Sequence, residues 1–190
     1  MKIEHGVFVA LLFLSIFLLS FYLVVFDTTY YFEQVASEEG VAVFAYLDYR
    51  QELDVSLFTK QEIIHLQDVR SLLYSFRALF FSVVVFTLFL AVYLFFTHDF
   101  QKRDLILGGG LGIAALVIIG VLAVFAFDRL FTWFHLMSFS NTFWLLPENS
   151  YLLQLFPFEY FQVAFTRILV YFTGFSVFLI FFGWILRKLN

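Results

Sequence analysis

Cysteine is absent from this chain. No disulfide bond can therefore staple any part of the protein, and neither a thiol nucleophile nor a thiolate metal site is available. The absence of cysteine excludes several classes of enzyme before any motif is considered.

Charged residues are scarce as well, at 14% of the sequence, whereas 63% of the residues are hydrophobic. Soluble domains contain about 25% charged residues, so this composition lies outside their range. Lipid is therefore the solvent that the composition indicates.

Four apolar segments have about the length of 20 residues that crosses the hydrocarbon of a bilayer. They are nearly free of charge, and no proline lies within them, which disfavours a transporter or a channel. The first segment has no small-residue cleavage site, so we expect an uncleaved signal anchor. The sequence predicts an all-α membrane protein with a single membrane domain over residues 1–190. Its predicted spans are 7–26, 79–96, 105–127 and 163–186.

The basic residues beside the spans predict the orientation, because the insertion machinery retains them in the cytoplasm. Five of them fall on one side, and most of the acidic residues fall on the other. We therefore expect a multi-pass protein of the cell membrane with both termini in the cytoplasm. On the external side lie a cap of residues 27–76 and a loop of residues 128–162. The basic residues used here are Lys2, Lys102, Arg103, Arg187 and Lys188.

The predicted cap is too long for a bare connection and too apolar for a disordered one. Residues 41–49 are rich in β-branched and aromatic residues and follow a glycine, a pattern typical of a strand after a turn. A second short strand is expected near residues 55–58. The cap should therefore contain short strands and one amphipathic helix.

That helix is predicted over residues 60–76, because Thr59 and Glu62 form a capping box and apolar residues follow at helical spacing. Gln61, His65 and Asp68 recur on it at steps of four and three residues, so they share one face. The sequence thus places His65 beside Asp68.

The third span opens with Gly108-Gly109-Gly110 and continues to Gly112. Small residues four apart allow a neighbouring helix to approach closely. We interpret these glycines as packing residues rather than as a ligand site.

Four histidines occur, and the predicted topology separates them. His5 and His98 lie near the cytoplasmic ends of spans, and we interpret them as solvated or interfacial bystanders. His65 and His135 lie on the two external segments. Two imidazoles at one membrane surface can supply a general base and a general acid near neutral pH.

The spacing of these residues leaves other interpretations open. A lone histidine on an interfacial helix is more often packed than catalytic. Asp68 could fix the tautomer of His65 by accepting its second ring N–H, or pair with a nearby arginine. Asp68 and Asp128 could also join the two histidines in a divalent metal site, although no recognised ligand spacing is present.

Two external segments resemble the signatures of a known family. Residues 62–70 resemble the pattern Glu-x-x-His-x-x-Asp-Val-Lys/Arg, and residues 134–144 resemble Phe-His-x(5)-Asn-x-x-Trp. The sequence Leu155-Phe156-Pro157 and the order of spans are similar too. The family consists of small four-helix membrane proteins whose best understood members are lipoprotein intramolecular transacylases.

The resemblance implies a membrane acyltransferase. Such an enzyme moves the sn-2 acyl chain of a diacylglyceryl-modified N-terminal cysteine to the α-amine of that cysteine, which gives a lyso-form lipoprotein. It implies His65 and His135 as the catalytic pair, with Asp68, Asn141 and Trp144 in support. It predicts no cofactor and no nucleic acid partner; the partners expected are a lipidated N-terminal cysteine and membrane lipid.

Two rival functions accompany this expectation. The first is a metal-dependent lipid hydrolase at the same site. The second is a lipid-binding or scaffolding membrane protein whose histidines only tie the cap to the bundle. The sequence does not determine the oligomeric state.

Overall fold

The computed structural model describes residues 2–27 and 37–189. Four long helices dominate it, and two short helices complete the described part of the chain. The helices are α1 (Ile3–Val25), α2 (Glu38–Leu47), α3 (Lys60–Phe96), α4 (Lys102–Ser138), α5 (Tyr151–Leu155) and α6 (Phe158–Lys188).

Each long helix contains one of the predicted spans, and each is long and apolar enough to cross a membrane. The described chain ends and the turn between α3 and α4 lie at one end of the bundle, called the terminal end here. The segments between α1 and α3 and between α4 and α6 lie at the other end, called the cap end. The prediction of a four-span helical membrane protein is confirmed at this level.

The predicted strands of the cap are wrong. The described residues contain no strand; residues 41–47 belong to α2, and Val55–Leu57 forms a 3-10 turn. Ser37 caps α2 by accepting a hydrogen bond from the backbone N–H of Gly40 at 3.1 Å. Gly40, Val43 and Leu47 are buried at helical spacing, so burial of one face outweighs the strand preference of the β-branched residues. Residues 28–36 of the predicted cap lie outside the described residues.

The predicted cap helix begins at Lys60 as expected but does not end near residue 76. It continues without a break into the second span as α3. Both hydrogen bonds of the capping box are present: the Thr59 side chain accepts from the Glu62 N–H, and the Glu62 carboxylate accepts from the Thr59 N–H. One rigid helix therefore joins the cap to the membrane.

Two arginines of α3 hold α2 in place. The Arg77 guanidinium pairs with the carboxylate of Asp48, which ends α2, and also lies 4.2 Å from the ring centre of Phe26. The Arg70 guanidinium lies 4.2 Å from the ring of Tyr46 and 3.8 Å from that of Tyr49. Such cation–π contacts tie the two cap helices together where they leave the bundle.

Helix α1 packs against all three other long helices, and α4 packs most extensively against α6. The predicted packing role is confirmed for Gly108, Gly109 and Gly112, whereas a Cβ atom at Gly110 would have no neighbour within 4 Å. A Cβ atom at Gly108 would lie 3.0 Å from Cβ of Leu12, and one at Gly112 would overlap the hydroxyl of Ser176. Small residues thus bring α1, α4 and α6 into close contact near the terminal end.

The interpretation of His5 as a bystander is wrong. Its ring is 1% exposed, and Nδ1 lies 2.7 Å from a carboxylate oxygen of Asp104, which is equally buried. Its Nε2 lies 3.3 Å from the side-chain amide of Gln101. A polar residue near a span end therefore joins α1 to α4, because a buried imidazole requires partners.

Candidate functional site

His65 and His135 lie side by side at the cap end. Their ring centres are 6.1 Å apart, and the rings are inclined by 34°. His65 comes from the first turns of α3 and His135 from the last turn of α4, both beyond the apolar segments 79–96 and 105–127. The two histidines that the sequence assigned to separate external segments therefore share one site.

The ring of His135 has a defined tautomer. Its Nδ1 lies 2.7 Å from the backbone oxygen of Phe131, one turn earlier on α4. Because a carbonyl oxygen only accepts, Nδ1 carries the proton and Nε2 of the neutral ring keeps its lone pair. The ring of Trp144 lies 5.0 Å from that of His135, centre to centre, and Phe139 lies 5.6 Å away.

The ring of His65 is held differently. It contacts Phe139 at 5.3 Å between ring centres, and its Nδ1 is buried without a hydrogen-bond partner in the described part of the chain. Asp68 does not accept from that atom. A buried imidazole nitrogen with no partner is uncommon and is available to a ligand.

Asp68 and Asn141 form a contact between the two halves of the site. The Asn141 side-chain amide donates to Asp68 Oδ2 at 2.9 Å, and its oxygen accepts from the backbone N–H of Phe143 at 3.0 Å. All five site residues named from the sequence, including Trp144, are thus brought together. Asp68, however, orients Asn141 rather than the ring of His65.

Glu62 was assigned only a capping role from the sequence, but it also binds Ser150 and Leu152, at the start of α5. Its carboxylate accepts hydrogen bonds from Ser150 Oγ at 2.7 Å and from the backbone N–H of Leu152 at 2.8 Å. The same carboxylate accepts from the N–H and hydroxyl of Thr59 at 2.7 and 2.8 Å. Its place in the Glu-x-x-His pattern, three residues before His65, was the signal for a role at the site.

Gln61 adds a second connection to the same loop. Its side-chain amide donates to the backbone oxygens of Leu145 at 2.9 Å and Phe143 at 3.3 Å. Together with Glu62 and Asp68, it fixes the loop between α4 and α5 on the first three turns of α3. These three side chains and their partners are called the α3–loop clamp below.

The electrostatics of the site follow from burial. Desolvation, strengthened by the neighbouring His135, lowers the pKa of His65 to about 4, although Asp68 opposes the shift. Desolvation also lowers the pKa of His135, against the hydrogen bond to Phe131. Burial alone would raise the pKa of Glu62, but its four hydrogen-bond donors outweigh burial and hold that pKa below its usual value. At neutral pH both rings are therefore neutral, and Glu62 is ionised.

No metal site forms from the predicted ligands. Within residues 2–27 and 37–189, no three histidine, aspartate or glutamate side chains are grouped closely enough to hold a metal ion. Asp128 lies seven residues before His135 on α4, about 10 Å along a helix axis. Asp68 is already hydrogen-bonded to Asn141. The metal hypothesis therefore has no ligand set to support it.

The model of the lipoprotein intramolecular transacylase Lit family matches residues 6–161. The chain belongs to the Lit family. The match spans α1 to the start of α6 and includes both histidines and the α3–loop clamp. Membership identifies a membrane-integral acyltransferase, so the expectation of an enzyme is confirmed and the scaffolding alternative is not supported.

Solved structures of Lit from Bacillus cereus have the same fold. One is 21% identical to this chain, with a TM-score of 0.84, and the match covers 98% of this chain and 95% of that one. Two variants of that protein, in which a histidine is replaced by arginine or by alanine, are each 20% identical with TM-scores of 0.76. Those matches cover 98% of this chain and 92% and 93% of theirs, respectively. No curated protein matches the chain.

Replacing Glu62 should loosen the loop in this Lit family member. A glutamine keeps only one acceptor oxygen, so its NH2 group must face either the N–H of Leu152 or the N–H of Thr59, and its remaining hydrogen bonds lose the charge of the carboxylate. Lost hydrogen bonds to a buried charged group cost about 1.5 to 3 kcal/mol each. We expect Glu62→Gln to speed amide hydrogen exchange over residues 139–152.

Glu52→Gln serves as the control, because Glu52 is an exposed glutamate of the same cap. Its exchange profile should match that of the unchanged protein. Equal exchange in the loop of both variants would show that Glu62 does not hold it.

Proposed function

We propose that this chain transfers the sn-2 acyl chain of a diacylglyceryl-modified N-terminal cysteine to the α-amine of the same cysteine, with His65 and His135 moving the protons. The observation that carries the proposal is the pair of neutral imidazoles whose ring centres lie 6.1 Å apart. Family membership supports a lipoprotein substrate. The product would be a lyso-form lipoprotein.

The chemistry needs no nucleophile from the protein. The attacking amine and the ester belong to the same molecule, so the enzyme mainly has to orient them. Well-oriented intramolecular reactions gain up to roughly 7 to 11 kcal/mol from proximity. A chain without cysteine, in which two imidazoles rather than a serine–histidine pair form the site, fits such a reaction.

The hydrogen bonds suggest which histidine takes which proton. In this proposal Nε2 of His135 accepts the proton of the attacking amine, because Phe131 holds the proton on Nδ1 and stabilises the imidazolium that forms. His65, kept neutral by burial, accepts that proton from His135 at one ring nitrogen as its other ring N–H donates to the departing glyceryl oxygen. The C–N bond forms, the C–O bond breaks, and one proton passes from nitrogen to oxygen.

The tetrahedral intermediate also needs a donor for its oxyanion. The amide group of Asn141 donates one hydrogen to Asp68, which leaves the other for this role and fixes the direction of the group. The indole of Trp144, which lies beside the ring of His135 at 5.0 Å between centres, closes the same side of the site. We assign Asp68, Asn141 and Trp144 supporting roles.

The proposed orientation places the cap end outside the cell. Five of the basic residues that flank the spans, the majority, lie at the terminal end, which the positive-inside rule assigns to the cytoplasm. Lys102 begins α4, and Arg187 and Lys188 end α6. The site then faces the outer surface of the cell membrane, where lipoproteins are anchored.

Changing either histidine to alanine should lower the rate of acyl transfer by at least about 10²-fold, the usual contribution of a general acid or base. The double variant should be no slower than the slower single variant, because residues that act as a unit are not additive. The rates can be measured by mass spectrometry of a diacylglyceryl lipopeptide in liposomes.

The matched control is His98→Asn at the terminal end. His98 is exposed with a φ of 57°, a conformation that asparagine tolerates. That variant should keep the full rate. Retained transfer in both single variants at the site would contradict the proposed roles.

The pH dependence of kcat/KM should separate the substrate amine from the histidines. The α-amine, with a pKa of about 8, gives a limb of unit slope on the acid side, since only its neutral form attacks. The histidines steepen that limb only below pH 6.5, because burial lowers the pKa of both, that of His65 to about 4. Steepening at or above pH 6.5 would contradict two neutral imidazoles.

A further inference from the structure

The face of α3 that carries His65 continues past the site as an apolar stripe. Leu72, Leu79 and Phe86 follow His65 at intervals of seven residues. Positions seven apart on an α-helix drift around its axis by only about 20°. Leu79 and Phe86 are 50% and 64% exposed. These three side chains, called the α3 stripe, therefore run from the histidine pair toward the terminal end.

At the level of Leu79 and Phe86, the long helix that packs extensively on α3 is α1. Phe80 and Val83 of α3 are buried against Leu18 of α1. Helix α4 packs against α6 and α1, and the described helices show no extensive packing of α3 on α4 or α6. The two helices come together at His65 and His135, and again near the terminal end, where Leu94 and Leu105 share a core. Between these two places α3 and α4 stand apart.

The surface along the α3 stripe suits hydrocarbon only. No aspartate, glutamate, lysine or arginine lies between Arg77 and Asp99. The hydroxyls of Ser75 and Ser82 donate to the backbone oxygens one turn earlier, at 3.0 and 2.8 Å. Because these polar groups are satisfied within α3, the surface offers no hydrogen bond to a polar ligand.

We infer that the α3 stripe binds the acyl chain that the enzyme transfers. The inference rests on the proposed function, because the chain must leave the site from the ester carbonyl held between the histidines. The α3 stripe is the apolar surface continuous with that point. Leu79 lies 14 positions beyond His65, about 21 Å along the helix axis. A fully extended hexadecanoyl chain is slightly shorter than that distance, so its last carbons contact the Leu79 side chain, and an octanoyl chain ends well above it.

The stripe therefore selects acyl chains by length, and Leu79→Trp tests this. Added bulk at Leu79 should slow transfer of a hexadecanoyl chain relative to an octanoyl chain by roughly tenfold, the scale of discrimination in a hydrophobic site. The measurement is the ratio of the two transfer rates, taken by mass spectrometry with matched lipopeptides in liposomes.

Leu88→Trp is the matched control. Leu88 is 60% exposed and lies nine residues after Leu79, about two and a half turns, so it occupies the opposite face of α3. Its ratio should equal that of the unchanged protein. Leu79→Ala and Leu88→Ala provide a second pair that adds no bulk, and only Leu79→Ala should change the ratio.

Two results would overturn the inference, and they are distinguishable. Normal transfer by the unchanged protein, with equal ratios in the Leu79 and Leu88 variants of both pairs, would contradict acyl-chain binding by the α3 stripe but not the proposed function. Bulk lipid would then cover the α3 stripe. An unchanged protein that transfers neither chain would contradict the proposed function and this inference with it.

Discussion

The α3–loop clamp is the interaction on which the site depends. His65 and His135 belong to helices that stand apart over much of the bundle, so packing in the membrane alone does not bring their rings together. The buried carboxylate of Glu62 accepts from Ser150 and Leu152, and Asp68 accepts from Asn141. These charge-assisted hydrogen bonds are stronger than neutral ones, and those of Glu62 are buried.

The same burial gives the site its chemistry. An imidazole with no charged partner in a dry environment stays neutral, and neutral rings can receive and donate protons near neutral pH. His135 owes its tautomer to one backbone oxygen of its own helix, that of Phe131. His65 has a buried nitrogen with no partner in the described part of the chain. The two rings are therefore unequal, which favours different roles for them.

Patterns with a single physical cause could be predicted from the sequence. Four spans follow from length and hydropathy, and the start of α3 follows from the capping box of Thr59 and Glu62. Three glycines of α4 that were predicted to pack, Gly108, Gly109 and Gly112, do so, but Gly110 does not. The site residues could be assembled only by resemblance to a family, because no spacing along the chain brings residue 65 next to residue 135.

The failures have physical causes as well. Residues 41–47 have the composition of a strand, but an amphipathic face and a Ser37 cap make them a helix. Nothing near His5 in the sequence indicates its partner Asp104, because the two residues belong to different helices, α1 and α4. Glu62 was predicted only to cap α3, because a capping box can be recognised in the sequence. Its hydrogen bond to Ser150 joins residues that are far apart in the sequence and become neighbours only in the folded protein.

The most direct test of the account is the structure of the product that the purified protein forms from a diacylglyceryl lipopeptide in liposomes. Fragmentation in the mass spectrometer locates the acyl chain. The account predicts a product of unchanged mass in which one acyl chain has moved from the glyceryl oxygen to the α-amine. Release of a free fatty acid, or an acyl chain that stays on glycerol, would contradict it.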